Sequence, residues 1–218
     1  MRPITFNFGN LAAASATNIA LSQGPITGGN SVTLNGSTVV GGVAILDQAR
    51  RVLITSAGND SGITFTVTGT NRYNAVMSET LTGGNVGAVN TNNDFLTVTK
   101  IVANGTTAST ITVGTTTIAS IMVPLEMYGN PTNISLNFMV TGTVNYTVNE
   151  TWDDPYNLVG LYPANQYPPN WVALAALTGK TTTSQAGLTA TARALQVVIN
   201  SGSGSLLCEI VQAGILTV

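Results

Sequence analysis

The chain has 218 residues, a formal net charge of −2 and charged side chains at only 7% of its positions, whereas about 25% is usual in soluble domains. Only Arg50 and Arg51 form an adjacent basic pair, which excludes the clustered basic face that nucleic acids require. The absence of His excludes Ser-His-Asp and Cys-His catalysis and most zinc sites, and a single Cys excludes an intrachain disulfide.

The scarcity of charge also bears on assembly and location. Charge keeps monomers soluble and is depleted where subunits bury each other's surfaces, so we expect self-association, as a dimer or trimer, or binding to other chains. No apolar run approaches the ~18 residues of a membrane span, and the N-terminal "MRPITFNFGN" lacks the apolar region of a signal peptide. We therefore expect no membrane partner, and folding in a cytoplasm.

Residues 1–38 predict an irregular N-terminal arm. Glycines and a proline at positions 24, 25, 28 and 29 interrupt the pattern after a short strand and a helical turn. Such a segment has little core of its own, so we expect a neighbouring subunit to order it.

Residues 39–120 predict a first β-sandwich unit. In "GITFTVTGT", Ile63, Phe65 and Val67 alternate with threonines, which is typical of a half-buried strand. The preceding Gly58-Asn59-Asp60 predicts a turn. Further turn signals recur about every 10 to 12 residues, as in a sandwich or barrel.

Residues 121–218 predict a second unit, resembling a β-sandwich or jelly roll. Apolar residues alternate over 134–140 and 144–148, and we expect these strands to form a hairpin around Gly142. "RALQVVINSG" and "SLLCEIVQAGIL" predict two later strands joined by Gly202-Ser203-Gly204. The predicted fold is therefore all-β, with two packed antiparallel β-sandwich or jelly-roll-like units, an irregular N-terminal arm and no cofactor.

The stretch "NETWDDPYN", residues 149–157, concentrates acidic residues at Glu150, Asp153 and Asp154. Calcium binds several oxygens, and glycosidases need two carboxyl groups that face each other across a cleft. Adjacent Asp side chains point apart on an extended backbone, and Pro155 holds Asp154 in extended geometry. Asp also accepts hydrogen bonds from turn N–H groups. The pattern favours a structural corner near a subunit contact over an ion site or a catalytic pair.

Two groups of residues are predicted to make intersubunit contacts. Aromatic side chains are enriched in cores and interfaces, although they also form sugar-binding platforms. The first group is aromatic and acidic and comprises Trp152, Asp153, Asp154, Tyr156 and Trp171. The second is Arg50 and Arg51, which either pair with carboxylates of a neighbour or form a solvated surface pair.

Several stretches resemble structural proteins of tailed bacteriophages. They are "RRVLITSAGNDSGITFTVTGTN" and "SETLTGGN" in the first half, and "VNYTVNETWDDPYN", "PPNW", "TATARALQVVINSGSG" and "IVQAG" in the second. Together they cover most of residues 50–214 and resemble a capsid cement or decoration protein of a short-tailed, podovirus-like phage.

The resemblance implies a β-sandwich or jelly-roll protein on the outer capsid surface, made in the host cytoplasm, that bridges neighbouring major capsid proteins. It brings no catalytic residues, so we expect a structural virion protein rather than an enzyme. The alternative is a phage tail, fibre or adhesin-type protein that binds host glycans through residues 152–171. A third hypothesis is a glycan hydrolase that uses Glu150 and Asp154.

Overall fold

The computed structural model describes residues 3–125, 133–154, 169–188 and 190–213. The chain divides into a central unit, Ala12–Ala119, and a terminal unit formed by Met1–Leu11 and Ser120–Val218. Regular structure in the described ranges consists of β-strands and a short 3-10 turn, Ala175–Leu177, which confirms the all-β prediction. Among these residues, no helix is long and apolar enough to cross a membrane.

The central unit, described in full, consists of two antiparallel sheets. One sheet has the strand order β2-β10-β5-β8 and the other β3-β4-β9-β6-β7. Its strands are β2 Ser15–Gln23, β3 Val39–Val40, β4 Val43–Arg50, β5 Val52–Asn59, β6 Thr64–Thr70, β7 Val76–Thr82, β8 Asn85–Asn90, β9 Phe95–Ala103 and β10 Ile111–Thr115.

The alternation of apolar and polar residues along each strand determines which side chains form the core of the central unit. In β6, Phe65 and Val67 are fully buried while the threonines between them are half-exposed, as predicted for this strand. These two side chains belong to one apolar cluster that also contains Ile54 of β5 and Ile111 of β10. The cluster therefore joins the two sheets as a sandwich.

The described part of the terminal unit also contains two antiparallel sheets. Their strand orders are β1-β17-β12-β15 and β11-β16-β13-β14. The strands are β1 Ile4–Gly9, β11 Ala119–Pro124, β12 Asn133–Thr141, β13 Val144–Thr151, β14 Val172–Ala173, β15 Ser184–Gly187, β16 Ala194–Gly202 and β17 Ser205–Ala213. Phe138 of β12 and Tyr146 of β13 connect the sheets, with ring centroids 5.5 Å apart.

The hairpin predicted around Gly142 is wrong, although both of its strands are present. β12 pairs with β17 and β13 pairs with β16, so the chain crosses from one sheet to the other at Gly142. It crosses back between β16 and β17 at Gly202-Ser203-Gly204. The two crossings, one at Gly142 and one at Gly202–Gly204, form arches that pack backbone against backbone. A Cβ at Gly202 or Gly204 would collide with a carbonyl oxygen of residues 141–143.

The prediction of an irregular arm is wrong for residues 4–9 and 15–23, which form β1 and β2, whereas residues 24–38 form no strand. β1 pairs along its whole length with β17, from Ile4 opposite Ile210 to Gly9 opposite Ser205. β2 pairs with β10 in the central unit. Both partner strands lie far along the chain, so local turn residues gave no indication of the pairing.

Candidate functional site at the end of strand β13

Strand β13 ends in a corner that hydrogen bonds hold on both sides. Thr151 is buried, its carbonyl accepts the N–H of Arg193 at 2.8 Å, and its hydroxyl accepts the N–H of Asp153 at 3.1 Å. The Asp153 carboxylate then accepts the N–H of Asn170 at 2.7 Å. Asp153 therefore acts as the turn acceptor that the sequence predicted.

Aromatic and apolar side chains lie on the outside of this corner. Trp152 is 50% exposed, and Val172 of β14 is exposed beside Glu150, its partner across the ladder. Trp171 is half-buried. The Asp153–Asn170 bond brings the stretch 152–154 next to Trp171, so four predicted contact residues share one region. Tyr156 lies outside the described residues.

Glu150 experiences a modest electrostatic penalty. Burial raises the pKa of its carboxyl above the usual value, because desolvation disfavours the ionised form. A pKa raised in the folded state adds stability below the ordinary pKa, and that stability is lost as the pH rises through the raised value. At neutral pH the ionised Glu150 is therefore slightly destabilising.

Substitution of Glu150 by Gln is expected to raise the melting temperature at pH 7, because the amide has no charge to desolvate. The gain should disappear below about pH 4, where glutamate is protonated in folded and unfolded chains alike. Thermal melts of both proteins across this pH range measure the effect. Glu209→Gln is the contrast, since the Glu209 carboxylate accepts the Asn137 amide at 2.9 Å and its removal should not stabilise the protein. A lower melting temperature for Glu150→Gln at pH 7 would contradict the desolvation penalty at this position.

Among its described residues, the corner brings together no set of metal ligands. Within the described ranges, no group of three or more Cys, Asp or Glu side chains is placed to hold a metal ion. The free thiol of Cys208 is fully buried, and burial raises its pKa. A thiol in that state is a poor nucleophile. What the corner offers chemically is an exposed indole beside carboxylates.

Arg50 is enclosed by its own chain, so the prediction that it contacts a neighbouring subunit is wrong. Its side chain is 0% exposed; Nη1 donates to Asp47 Oδ1 at 2.9 Å and Nη2 donates to the Ala12 carbonyl at 2.6 Å. Nε donates to the Thr116 carbonyl at 2.9 Å, and Asp47 Oδ2 accepts the Ala12 N–H at 2.7 Å. The Arg50–Asp47 ion pair therefore hydrogen-bonds both backbone polar groups of Ala12, its carbonyl through Arg50 and its N–H through Asp47.

Arg51 lies nearer the surface and faces Asp94. Its Nε is 4.0 Å from Asp94 Oδ1, and its side chain is 26% exposed. Its backbone bonds to the segment after β10, donating to the Ile118 carbonyl and accepting from Thr116 N–H, both at 3.1 Å. A contact between Arg51 and a neighbouring subunit remains a prediction.

The role of Asp47 was missed from the sequence for a geometric reason. Residues three apart in a regular strand point to opposite faces, so Asp47 and Arg50 gave no sign of pairing. The ladder between β4 and β9 shifts register between Ile45 and Arg50, and this irregularity brings the two side chains to one side. Alternation alone does not reveal such a bulge.

Outer faces of the sheets carry uncharged side chains that bond to one another across strands. The pairs are Thr66–Thr80, Thr70–Thr97, Asn149–Gln196 and Asn200–Asn145, all at 2.7 to 2.9 Å. A shallow depression of about 430 Å³ on the β15-β12-β17 face is lined by Asn137, Gln185 and Glu209, which also bond to one another. These described side chains therefore satisfy one another's polar groups through neutral hydrogen bonds across the strands, with Glu209 as the charged exception.

Comparison of the chain with models of protein families, with curated proteins and with solved structures gave no match.

Proposed function

We propose that this chain is a structural virion protein, a capsid cement or decoration protein of a short-tailed bacteriophage. In this role it is made in the host cytoplasm, binds the outer surface of the major capsid protein shell and stabilises the head. The proposal includes no enzymatic activity. The sequence resemblance suggests the phage context, and the corner after β13 supports binding to a protein surface.

The observation that carries the proposal is an exposed tryptophan on a fixed backbone. Trp152 is half-exposed, yet its neighbours Thr151 and Asp153 are held by hydrogen bonds to Arg193 and Asn170. Tryptophan is enriched among the residues that dominate binding energies at protein interfaces. A rigid backbone also reduces the entropy lost on binding. The corner therefore suits an anchor that enters an apolar pocket on a partner.

The low charge of the chain supports the same proposal. Only 7% of residues are charged, and the outer sheet faces use paired hydroxyl and amide groups instead. Such faces can be buried against another protein without desolvating charges. A shell protein also gains from many weak contacts that act together, because linked binding events raise the overall avidity.

The experiment that tests the proposal is the copy number of the chain in purified virions, measured by quantitative mass spectrometry. Hundreds of copies in a simple ratio to the major capsid protein support capsid decoration. A few to a few tens of copies place the chain in the tail or its fibres and contradict the proposal. Absence from virions contradicts both assignments.

Substitution of Trp152 by Ala is expected to weaken capsid binding by about 2 kcal/mol, or roughly thirtyfold, if Trp152 is an interface anchor. Binding of the purified chain to capsids that lack it gives the affinity, and thermal melts verify that the variant is folded. Val211→Ala is the matched control, because Val211 is a similarly exposed apolar residue of the terminal unit on β17. Equal affinities for both variants would remove Trp152 from the interface.

Glycan binding by a tail, fibre or adhesin-type protein is the second candidate, because an exposed indole is also what a sugar platform requires. Folded Trp152→Ala and Trp171→Ala variants that lose binding on a glycan array, while capsid binding is unaffected, would favour this candidate. A Glu150→Gln, Asp154→Asn double variant tests the hydrolase hypothesis. Full virion stability with this variant excludes an ion site that the virion needs for stability, and unchanged glycan cleavage by it excludes a catalytic role for the two carboxylates.

A further inference from the structure

The hairpin of β6 and β7 leaves a long strand at the edge of the central unit. β7 pairs with β6 over its full length of seven residues, from Thr82 opposite Thr64 to Val76 opposite Thr70. It is the last strand of its sheet, and the central unit is described in full. One side of its backbone therefore has no partner strand within that sheet.

The β7 edge lacks most of the devices that protect an open strand from pairing; Glu79, which points to the same face as Met77 and Leu81, is the exception. Its sequence, VMSETLT, contains no Pro, Lys or Arg, and its ladder with β6 shows no register shift. Its one charged residue, Glu79, accepts the N–H groups of Asn92 and Asn93 at 2.7 and 2.9 Å and the Asn93 amide at 2.9 Å. These hydrogen bonds hold the carboxylate within the unit, against the segment that contains Asn92 and Asn93.

Other edges of the central unit are protected in recognisable ways. Along β2, the carbonyls of Asn18 and Ile19 accept backbone N–H groups of Asn35, Gly36 and Thr38 at 2.9 to 3.2 Å. β8 is distorted, with a register shift against β5 and a positive φ at Val86. β3 is only two residues long. Among the edge strands of this fully described unit, β7 alone combines regular pairing over seven residues with no described backbone hydrogen bond on its outer side.

The turn before β7 adds a preorganised apolar contact. The Asn71 side chain accepts the N–H groups of Tyr73 and Ala75 at 2.9 and 3.1 Å, which fixes the turn. Tyr73 is 62% exposed with the Arg72 guanidinium 5.9 Å from its ring centroid, and Val76 is 82% exposed. Aromatic and Arg side chains on a fixed turn are typical of protein interfaces.

We propose that β7 pairs antiparallel with β7 of a second copy of this chain, joining two sheets into one. The outward side chains of β7 are the uncharged Val76, Ser78, Thr80 and Thr82, so the strand offers no charge pattern to select a foreign partner. Those side chains are compatible with their own copies, as a twofold interface requires. Backbone hydrogen bonds would provide the affinity, as in β-strand addition.

Glu79 limits the register of this pairing. A twofold axis at Glu79 would place two carboxylates directly opposite, which is destabilising. An axis at Ser78 places Glu79 opposite Met77 instead and brings the two Ser78 hydroxyl groups together at the centre, so the proposed dimer takes this register. The proposal does not rest on the virion role, because it concerns two copies of the isolated chain.

The test uses the full chain and sedimentation velocity. The wild type is expected to be a dimer, and Ser78→Lys a monomer with an unchanged melting temperature, because two lysines would meet at the centre of the interface. Ser78→Glu should also be monomeric, and mixing the two variants should restore the dimer. The matched control is Ala88→Lys, at an exposed position of β8 on the other sheet, which should leave the dimer intact.

Hydrogen exchange keeps the proposal testable if a variant fails to fold. Amides of β7 in the wild type should exchange more slowly as protein concentration rises, whereas those of β8 should not change. A wild type that stays monomeric into the millimolar range, or forms trimers, overturns the proposal. So does a dimer that Ala88→Lys dissociates and Ser78→Lys does not. Dimerisation with no capsid binding would support this inference while contradicting the proposed function.

Discussion

Replacing Arg50 by Met is expected to lower the free energy of unfolding by about 3 kcal/mol, the lower end of the range for removing one partner of a buried ion pair. The lower end applies because the Asp47 side chain remains 33% exposed. The carbonyls of Ala12 and Thr116 also lose their charged donors. Urea denaturation followed by circular dichroism measures the loss, and hydrogen exchange at β4 and β10 assigns it to the central unit.

Arg51→Met provides the control for this prediction, since it makes the same chemical change at the next residue. Its Nε is 4.0 Å from Asp94 Oδ1, too far for a hydrogen bond, but the Asp94 side chain is only 8% exposed and would lose a nearby cation. The expected loss is therefore about 1 to 2 kcal/mol, smaller than for Arg50. Equal losses for the two variants would show that Arg50 and Arg51 contribute alike, contrary to the observed burial.

The second large effect is expected for Gly202→Ala, which should lower the free energy of unfolding by roughly 3 kcal/mol or more, through backbone strain and a steric collision. Gly202 has φ +104°, a conformation that side chains rarely adopt, and its added Cβ would meet the carbonyl oxygen of Thr143. Both tryptophans of the chain lie in the terminal unit. Their fluorescence during urea denaturation therefore reports the unit in which the arches stack.

Gly179→Ala separates strain from collision, because Gly179 has φ +62° but no atom within 4 Å of an added Cβ. Its expected cost is about 1 to 2 kcal/mol, from the left-handed conformation alone. Should Gly202→Ala prove no more harmful than this control, the two arches would not be packed backbone against backbone. Their packing matters because it holds β12 beside β17 and β13 beside β16.

The structure of the corner after β13 was predicted only in part from its sequence. The Asp-rich stretch after an alternating strand predicted a turn acceptor, and Asp153 does accept the N–H of Asn170. The same stretch could not show that Asn170, 17 residues later, is the donor, because that pairing depends on the path of the intervening chain. Trp152 is exposed because it lies beyond the end of the sheet. The alternation of apolar and polar residues in β13 ends at Thr151 and therefore could not predict this exposure.

The burial of Arg50, in contrast, was not predicted from the sequence. Adjacent arginines in a charge-poor chain suggested a surface pair, yet Arg50 is enclosed with three acceptors. Two of those acceptors, Ala12 and Thr116, lie 38 and 66 residues away in sequence. The third, Asp47, reaches Arg50 only because β4 has an irregular register. Burial of a charge requires such partners, and only the folded chain supplies them.

The sequence by itself determined the all-β class, strands such as β6, β12 and β13 and the side chains that face inward along them, because alternation of apolar and polar residues is a local property of the extended backbone. The tertiary structure decided which strands are neighbours. It paired β1 with β17 from opposite ends of the chain and placed β12 and β13 in different sheets. It also left β7 without a partner at its edge. Strand pairing joins residues that are distant in sequence, and short-range patterns are compatible with several such pairings.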